Sequence, residues 1–164
     1  MTIADADRSG DASAQLAFVY REAVRGIAHQ QNVLESLNTR AGNLIFATAF
    51  ATSLLGARAL DNGLAFWDWA AVALLVLIGI LIAVMLWPYY NLTFRFDPEE
   101  LLDRYVAGAA ATPMSVVHRE LALRIKADMR DNWRTIQRIR VALQVSLLLL
   151  ILEILAWLLS IAGL

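Results

Sequence analysis

Glu153 has the most chemistry to offer. It lies in the interior of an apolar run, 141–162, whose other polar residues are Gln144 and two serines. A carboxylate at membrane depth is costly and marks a functional site by default. It can relay protons, line an ion path, or hold subunits in register through a polar contact. The structural alternative is a protonated Glu153 hydrogen-bonded to Thr48, Thr52 or Ser53 of an earlier apolar run, and the absence of a cationic partner favours it. That earlier run, 41–57, is rich in small residues, including Gly42, Ala49 and Gly56. Thr48, Thr52 and Gly56 recur every four residues and share one helix face. Small residues let helices approach closely and hydroxyls bond across the contact. This face is either an internal bundle interface or the lining of a pore or oligomer contact.

The basic residues from Arg119 to Arg140 could hold anionic lipid heads or a nucleotide's phosphates, with Arg134, Arg138 and Arg140 the natural lipid-facing group. Glu120, Asp128 and Asp131 are interleaved with them, as on an ordinary solvated helix face. His29 and His118 stand alone without ligand spacing. Asp97, Glu99 and Glu100 are explained by a helix start, where carboxylates are favourable. The chain has no cysteine, no Gly-rich phosphate loop, no nucleophile elbow and no paired carboxylates. Nothing argues for an enzyme, a metal or a cofactor, and a net charge of −1 gives no reason to expect a nucleic-acid partner.

The elements that position these residues follow from hydropathy. Of 164 residues 59% are hydrophobic and only 18% charged, and the apolar excess is concentrated in a few runs. A bilayer core takes about 20 apolar helical residues. The clearest span is 69–87, free of charge and flanked by Trp67, Trp69, Trp87, Tyr89 and Tyr90, aromatics suited to membrane interfaces. The second is 141–162. The third, 41–57, is shorter and bounded by Arg40 and Arg58, whose side chains can snorkel. Asp61-Asn62-Gly63 reads as a tight turn into the next helix. The first residues, MTIADADRSGDASAQ, lack the pattern of a cleavable signal peptide, so the internal runs must drive insertion. Residues 1–11 are expected to be disordered and 12–164 to form a single helical membrane domain. Counting Lys and Arg, an orientation with the N-terminus inside and the C-terminus outside keeps thirteen of fourteen cations cytoplasmic, all but Arg58.

The cytoplasmic part reads as amphipathic helix. Leu16, Tyr20, Ala23, Ile27, Leu34 and Leu37 fall on one face ahead of the first span. No breaker separates Ile27 from Ala41, so this helix should run into the membrane. In the segment 97–140, Asp97-Pro98-Glu99-Glu100 starts a short helix ending near Gly108. Thr112-Pro113 opens another whose apolar face is Met114, Val117, Leu121, Ile125, Met129, Trp133, Ile136, Ile139 and Leu143. These stripes must be covered by each other or by a second copy.

Leu37-Asn38-Thr39-Arg40-Ala41-Gly42-Asn43-Leu44 resembles the Asp-x-Lys-Ala-Gly stretch that opens the first span of the membrane-effector domain of bacterial Pycsar antiphage systems. Asn38 stands where Asp is usual, and Arg40 where Lys is usual; Ala41 matches. The layout of two close spans, a helical cytoplasmic segment and a third span is similar. The stretch from Asp131-Asn132-Trp133 through Leu152-Glu153-Ile154-Leu155-Ala156-Trp157 looks like the final helix of such proteins. The resemblance implies a bacterial inner-membrane effector, responding to a cyclic nucleotide made on infection. No segment matches a separate nucleotide-sensor domain, so the signal would act on the cytoplasmic helices or through a partner protein.

The expected fold is all-α: three transmembrane helices with long amphipathic cytoplasmic extensions, assembled as a homo-oligomer in the bilayer. The expected function is permeabilisation of the inner membrane in response to a cytoplasmic signal, in antiviral defence. The alternatives are a scaffold or accessory subunit that anchors a cytoplasmic partner, and a small ion channel.

Overall fold

A computed structural model of the chain describes residues 3–60, 65–87, 92, 96–106 and 112–163, with side chains from residue 12 onward except that of Leu60. Its described elements are all helical. They are α1 (Ile3–Ala51), a π-helix (Thr52–Gly56), α2 (Ala57–Leu60), α3 (Phe66–Leu86), α4 (Pro98–Tyr105) and α5 (Met114–Ile161). The expected turn at Asp61-Asn62-Gly63, the interfacial Tyr89 and Tyr90, and Gly108 lie outside the described residues.

Sequence punctuation explains the helix ends. The α4 helix starts as expected: the Asp97 side chain accepts the Glu99 N–H at 3.0 Å, and Pro98 occupies the first turn. Trp87 ends α3 with ψ 133, the extended conformation imposed on a residue before proline. The Pro113 carbonyl accepts the N–H groups of Val116 and Val117, opening α5. Gly163, at φ +72, closes α5 by donating to the Ser160 carbonyl, a left-handed cap that favours glycine. At the N-terminus α1 begins at Ile3.

The single domain expected over 12–164 resolves into two compact units. Unit 1 comprises Met1–Val33 and Tyr90–Thr135; unit 2 comprises Leu34–Tyr89 and Ile136–Leu164. In unit 1, α1 and α5 are held by Gln30, whose Nε2 donates to the Met129 carbonyl at 2.9 Å, and by Tyr20 stacked on His118. Gly26 lies under Met129, where an added Cβ would meet the Met129 Cε at 2.8 Å. The α4 helix packs on α5 through a bidentate pair, Arg124 to Glu100 at 2.5 and 2.9 Å, with Arg124 also over the Phe96 ring. Tyr105 donates to Glu120 at 2.9 Å.

The apolar stripe of α5 holds at Leu121, Ile125, Ile136, Ile139 and Leu143, all buried. It departs from expectation at Trp133, which is 48% exposed while Asn132 beside it is buried. The face therefore steps 125, 132, 136, a seven and a four, and leaves the bulkier ring outside. Met114, also expected inward, is exposed in the first turn.

The side-chain hydrogen bond from Arg124, then its charge, hold the Glu100 carboxyl below its usual 4.5. A carboxylate lowered on folding stabilises the fold above its unfolded pKa, and that contribution is lost as pH falls through the folded value. Protection factors of the 101–105 amides, taken relative to the intrinsic exchange rate at each pH, should thus fall as the Glu100 carboxylate is protonated in acid, and Arg124→Gln should lower them in the same way at neutral pH. Unchanged protection factors in both cases would contradict the pairing.

Candidate functional site

Unit 2 inverts the usual distribution of polarity. Phe46, Phe66 and Trp87 are 76%, 76% and 67% exposed, while Asp68, Ser146 and Glu153 are fully buried. Two helices are long and apolar enough to cross a membrane, Phe66–Leu86 and the apolar half of Met114–Ile161. Only 22% and 28% of their most apolar stretches are buried within the protein. A core helix of a soluble domain would show the opposite, because its apolar residues would be covered. The 41–57 run does not reach that measure; it is the most polar of the three runs and its α-helix gives way to a π-helix.

Within unit 2, α1, its continuation through the π-helix and α2, and α5 run parallel. Thr52 meets Glu153, and Gly56 meets Trp157 at the same sequence offset. The α3 helix is antiparallel to α5, because Asp68 in its first turn meets Ser160 in the last turn of α5.

At the centre of the site, the Thr52 hydroxyl donates to Glu153 Oε1 at 2.5 Å, and the indole N–H of Trp157 donates to the same oxygen at 3.3 Å. Glu153 Oε2 is buried without a partner among the described residues. Thr52 is the first residue of the π-helix. Such wide turns are rare, appear mostly as single turns inside α-helices, and frequently sit at functional sites. Gly56 ends the turn against the Trp157 ring, 3.3 Å from where its Cβ would stand. Gly56→Ala therefore needs the ring to yield by a few tenths of an ångström, whereas Gly56→Leu should destabilise the unit by about 1–3 kcal/mol through overpacking, read as a lower unfolding temperature in detergent.

Of the polar partners expected for Glu153, one is brought to it. Thr48 instead donates to the Leu44 carbonyl of its own helix at 2.8 Å, and Ser53 is exposed. Among the small residues, Gly56 makes a close contact; Ala49 is exposed, and nothing lies within 4 Å of an added Cβ at Gly42. Thr48, Thr52 and Gly56 stay on one face, with Thr48 and Gly56 buried and Thr52 half-buried. Asn38 and Arg40 are exposed and Ala41 is fully buried. Arg134, Arg138 and Arg140 are all exposed, without an ion pair among the described residues.

Two residues of the site escaped sequence reasoning. Asp68 accepts the Ala65 N–H at 2.6 Å through Oδ2 and the Ser160 hydroxyl at 2.5 Å through Oδ1. It thus caps α3 and fastens it to α5. Its place at the head of an apolar run marked the helix start; nothing marked its partner, 92 positions away.

No family model, curated protein or solved structure matches the chain. Its chemistry has to be read from the site. Among the described residues no three metal-ligating side chains gather, so the site offers a single carboxyl with two donors. Hydrogen bonds between helices in a bilayer average about 0.6 kcal/mol and reach about 1.7.

Proposed function

We propose that the chain is an integral membrane protein of three spans, with its N-terminus and unit 1 in the cytoplasm and its C-terminus outside. It acts as an oligomeric effector that permeabilises the membrane when unit 1 receives a signal. The observation that carries the reading is the Thr52–Glu153 contact at a π-helix, its carboxyl fully buried in a unit that exposes Phe46, Phe66 and Trp87. The 41–57 run becomes the third span because its Thr52 and Gly56 are fixed on α5 beside Glu153 and Trp157. Lysine and arginine counts supply the orientation.

Three packed helices are too few to enclose a water path, so several copies must assemble. In this mechanism α1 slides or rotates on α5, the π-helix absorbs the change in register, and Glu153 exchanges Thr52 for a partner on another copy. The Pycsar resemblance makes a cyclic nucleotide the first signal to try, with a partner protein the second.

Cells expressing the chain with its trigger, including the neighbouring gene's product, should lose membrane potential in a dye assay. Glu153→Leu and Thr52→Leu should restore it at equal protein level. A polarised membrane under every trigger would sink the effector reading. A scaffold role is the second reading, favoured by apolar residues exposed in unit 1, notably Phe18, Val19 and Leu123. It predicts one stoichiometric partner in pull-downs and no conductance in liposomes.

A further inference from the structure

Unit 2 carries two surface grooves that each have an arginine and an amide among their lining residues. One, of about 300 Å³, is lined by Arg40, Asn43, Leu44 and Ala47 from α1 and by Leu143, Leu147 and Leu150 from α5. The other, of about 450 Å³, is lined by Leu81 from α3 and by Gln137, Arg138, Val141, Ala142 and Val145 from α5. Each has one arginine and one amide, followed by aliphatic side chains only, apart from backbone already paired in helices.

Helix direction places the polar groups at one end of each groove. Because α1 and α5 are parallel with an offset of 101 positions in unit 2, Arg40 stands level with residue 141, and the groove runs from there toward Leu150. Arg138 precedes Val141 and Val145 in the same sense. Both arginines lie at the end of unit 2 opposite the Asp68–Ser160 contact. Neither makes an ion pair among the described residues, and Asn43 and Gln137 have no hydrogen-bond partner there. An uncompensated guanidinium beside an amide suits a phosphate diester, which accepts from both. The aliphatic walls suit an acyl chain and would repel a free phosphate or nucleotide.

We infer that each groove binds one anionic phospholipid of the cytoplasmic leaflet, its phosphate on Arg40 with Asn43 or on Arg138 with Gln137, and its acyl chain along the leucines or valines. The inference rests on the three-span reading, which puts both arginines at that leaflet. Since the first groove is walled by α1 and α5, the lipid there would bridge the two helices whose contact at Thr52 and Glu153 is proposed to change.

The full chain, reconstituted in nanodiscs of phosphatidylcholine with phosphatidylglycerol, is released into native mass spectrometry. Two phosphatidylglycerols should stay on each chain. Arg40→Gln and Arg138→Gln should each retain one, and the double variant none, while Arg58→Gln keeps both. Leu147→Trp, which fills the first groove and keeps Arg40, should also lose one. Insertion without preference for phosphatidylglycerol, or two retained lipids in the double variant or in Leu147→Trp, would overturn the lipid sites alone. A chain that does not insert at all, shown by its failure to float with vesicles, would overturn the three-span reading and the lipid sites with it.

Discussion

Trp157→Ala is expected to lower the stability of unit 2 by about 3–5 kcal/mol. The ring is 2% exposed and lies in a cluster with Ala59, Ala71 and Ala156, edged by Leu55, Trp67 and Leu74. These neighbours are mostly small or already placed, so they cannot collapse into the space that truncation leaves. In a bilayer the apolar driving force between helices is absent and packing carries the association, which makes an unfilled cavity more damaging rather than less. The change also removes the N–H on Glu153 and the surface on which Gly56 rests. Trp157→Phe separates these effects: it keeps most of the packing and loses the donor, at roughly 1 kcal/mol. Circular dichroism during unfolding in detergent measures both, and equal unfolding curves for Trp157→Ala and the parent chain would contradict the packing described.

Asp68→Ala is the second large effect, at about 2–4 kcal/mol, summing a helix cap and a hydrogen bond to a charged group. The loss differs in kind from that at Trp157, because it frees one end of α3 from α5 without opening a cavity. Ser160→Ala should cost less, since Asp68 keeps the Ala65 N–H. In a double-mutant cycle the two changes should couple by more than about 0.5 kcal/mol, the level at which independent sites add. Strict additivity would mean that the 2.5 Å contact contributes nothing. Asp68→Asn should retain part of the stability through its amide carbonyl.

What the sequence made legible was local. The Asp97-Pro98 start, the breaker-free passage from Ile27 through Ala41, and the inward face of Leu121, Ile125, Ile136 and Ile139 all follow from spacing within a turn or two. Glu153 stood out because a carboxyl in an apolar run is expensive, and Thr52 was among its expected partners. Long-range pairing was not legible. Ser160 reads as one more small polar residue near a chain end, and its use depends on how α3 returns along α5. The π-helix was invisible for a related reason: Thr52-Ser53-Leu54-Leu55-Gly56 has ordinary helical composition, and the wide turn coincides with the long-range contacts of Thr52 with Glu153 and Gly56 with Trp157. Thr48, on the same face, donates to the carbonyl four residues back in its own helix.

The central claim is that α1 and its π-helix carry the chain across the bilayer, so that residues before and after the 41–57 run lie on opposite sides. The absence of native cysteines allows a clean measurement: single substitutions Ala14→Cys, Ala65→Cys and Ala162→Cys, labelled in intact cells with a membrane-impermeant maleimide and again after permeabilisation. Ala65→Cys and Ala162→Cys should label in intact cells, and Ala14→Cys only after permeabilisation. Labelling of Ala14→Cys and Ala65→Cys from the same side would contradict the third span and, with it, the placement of Thr52 and Glu153 inside the membrane.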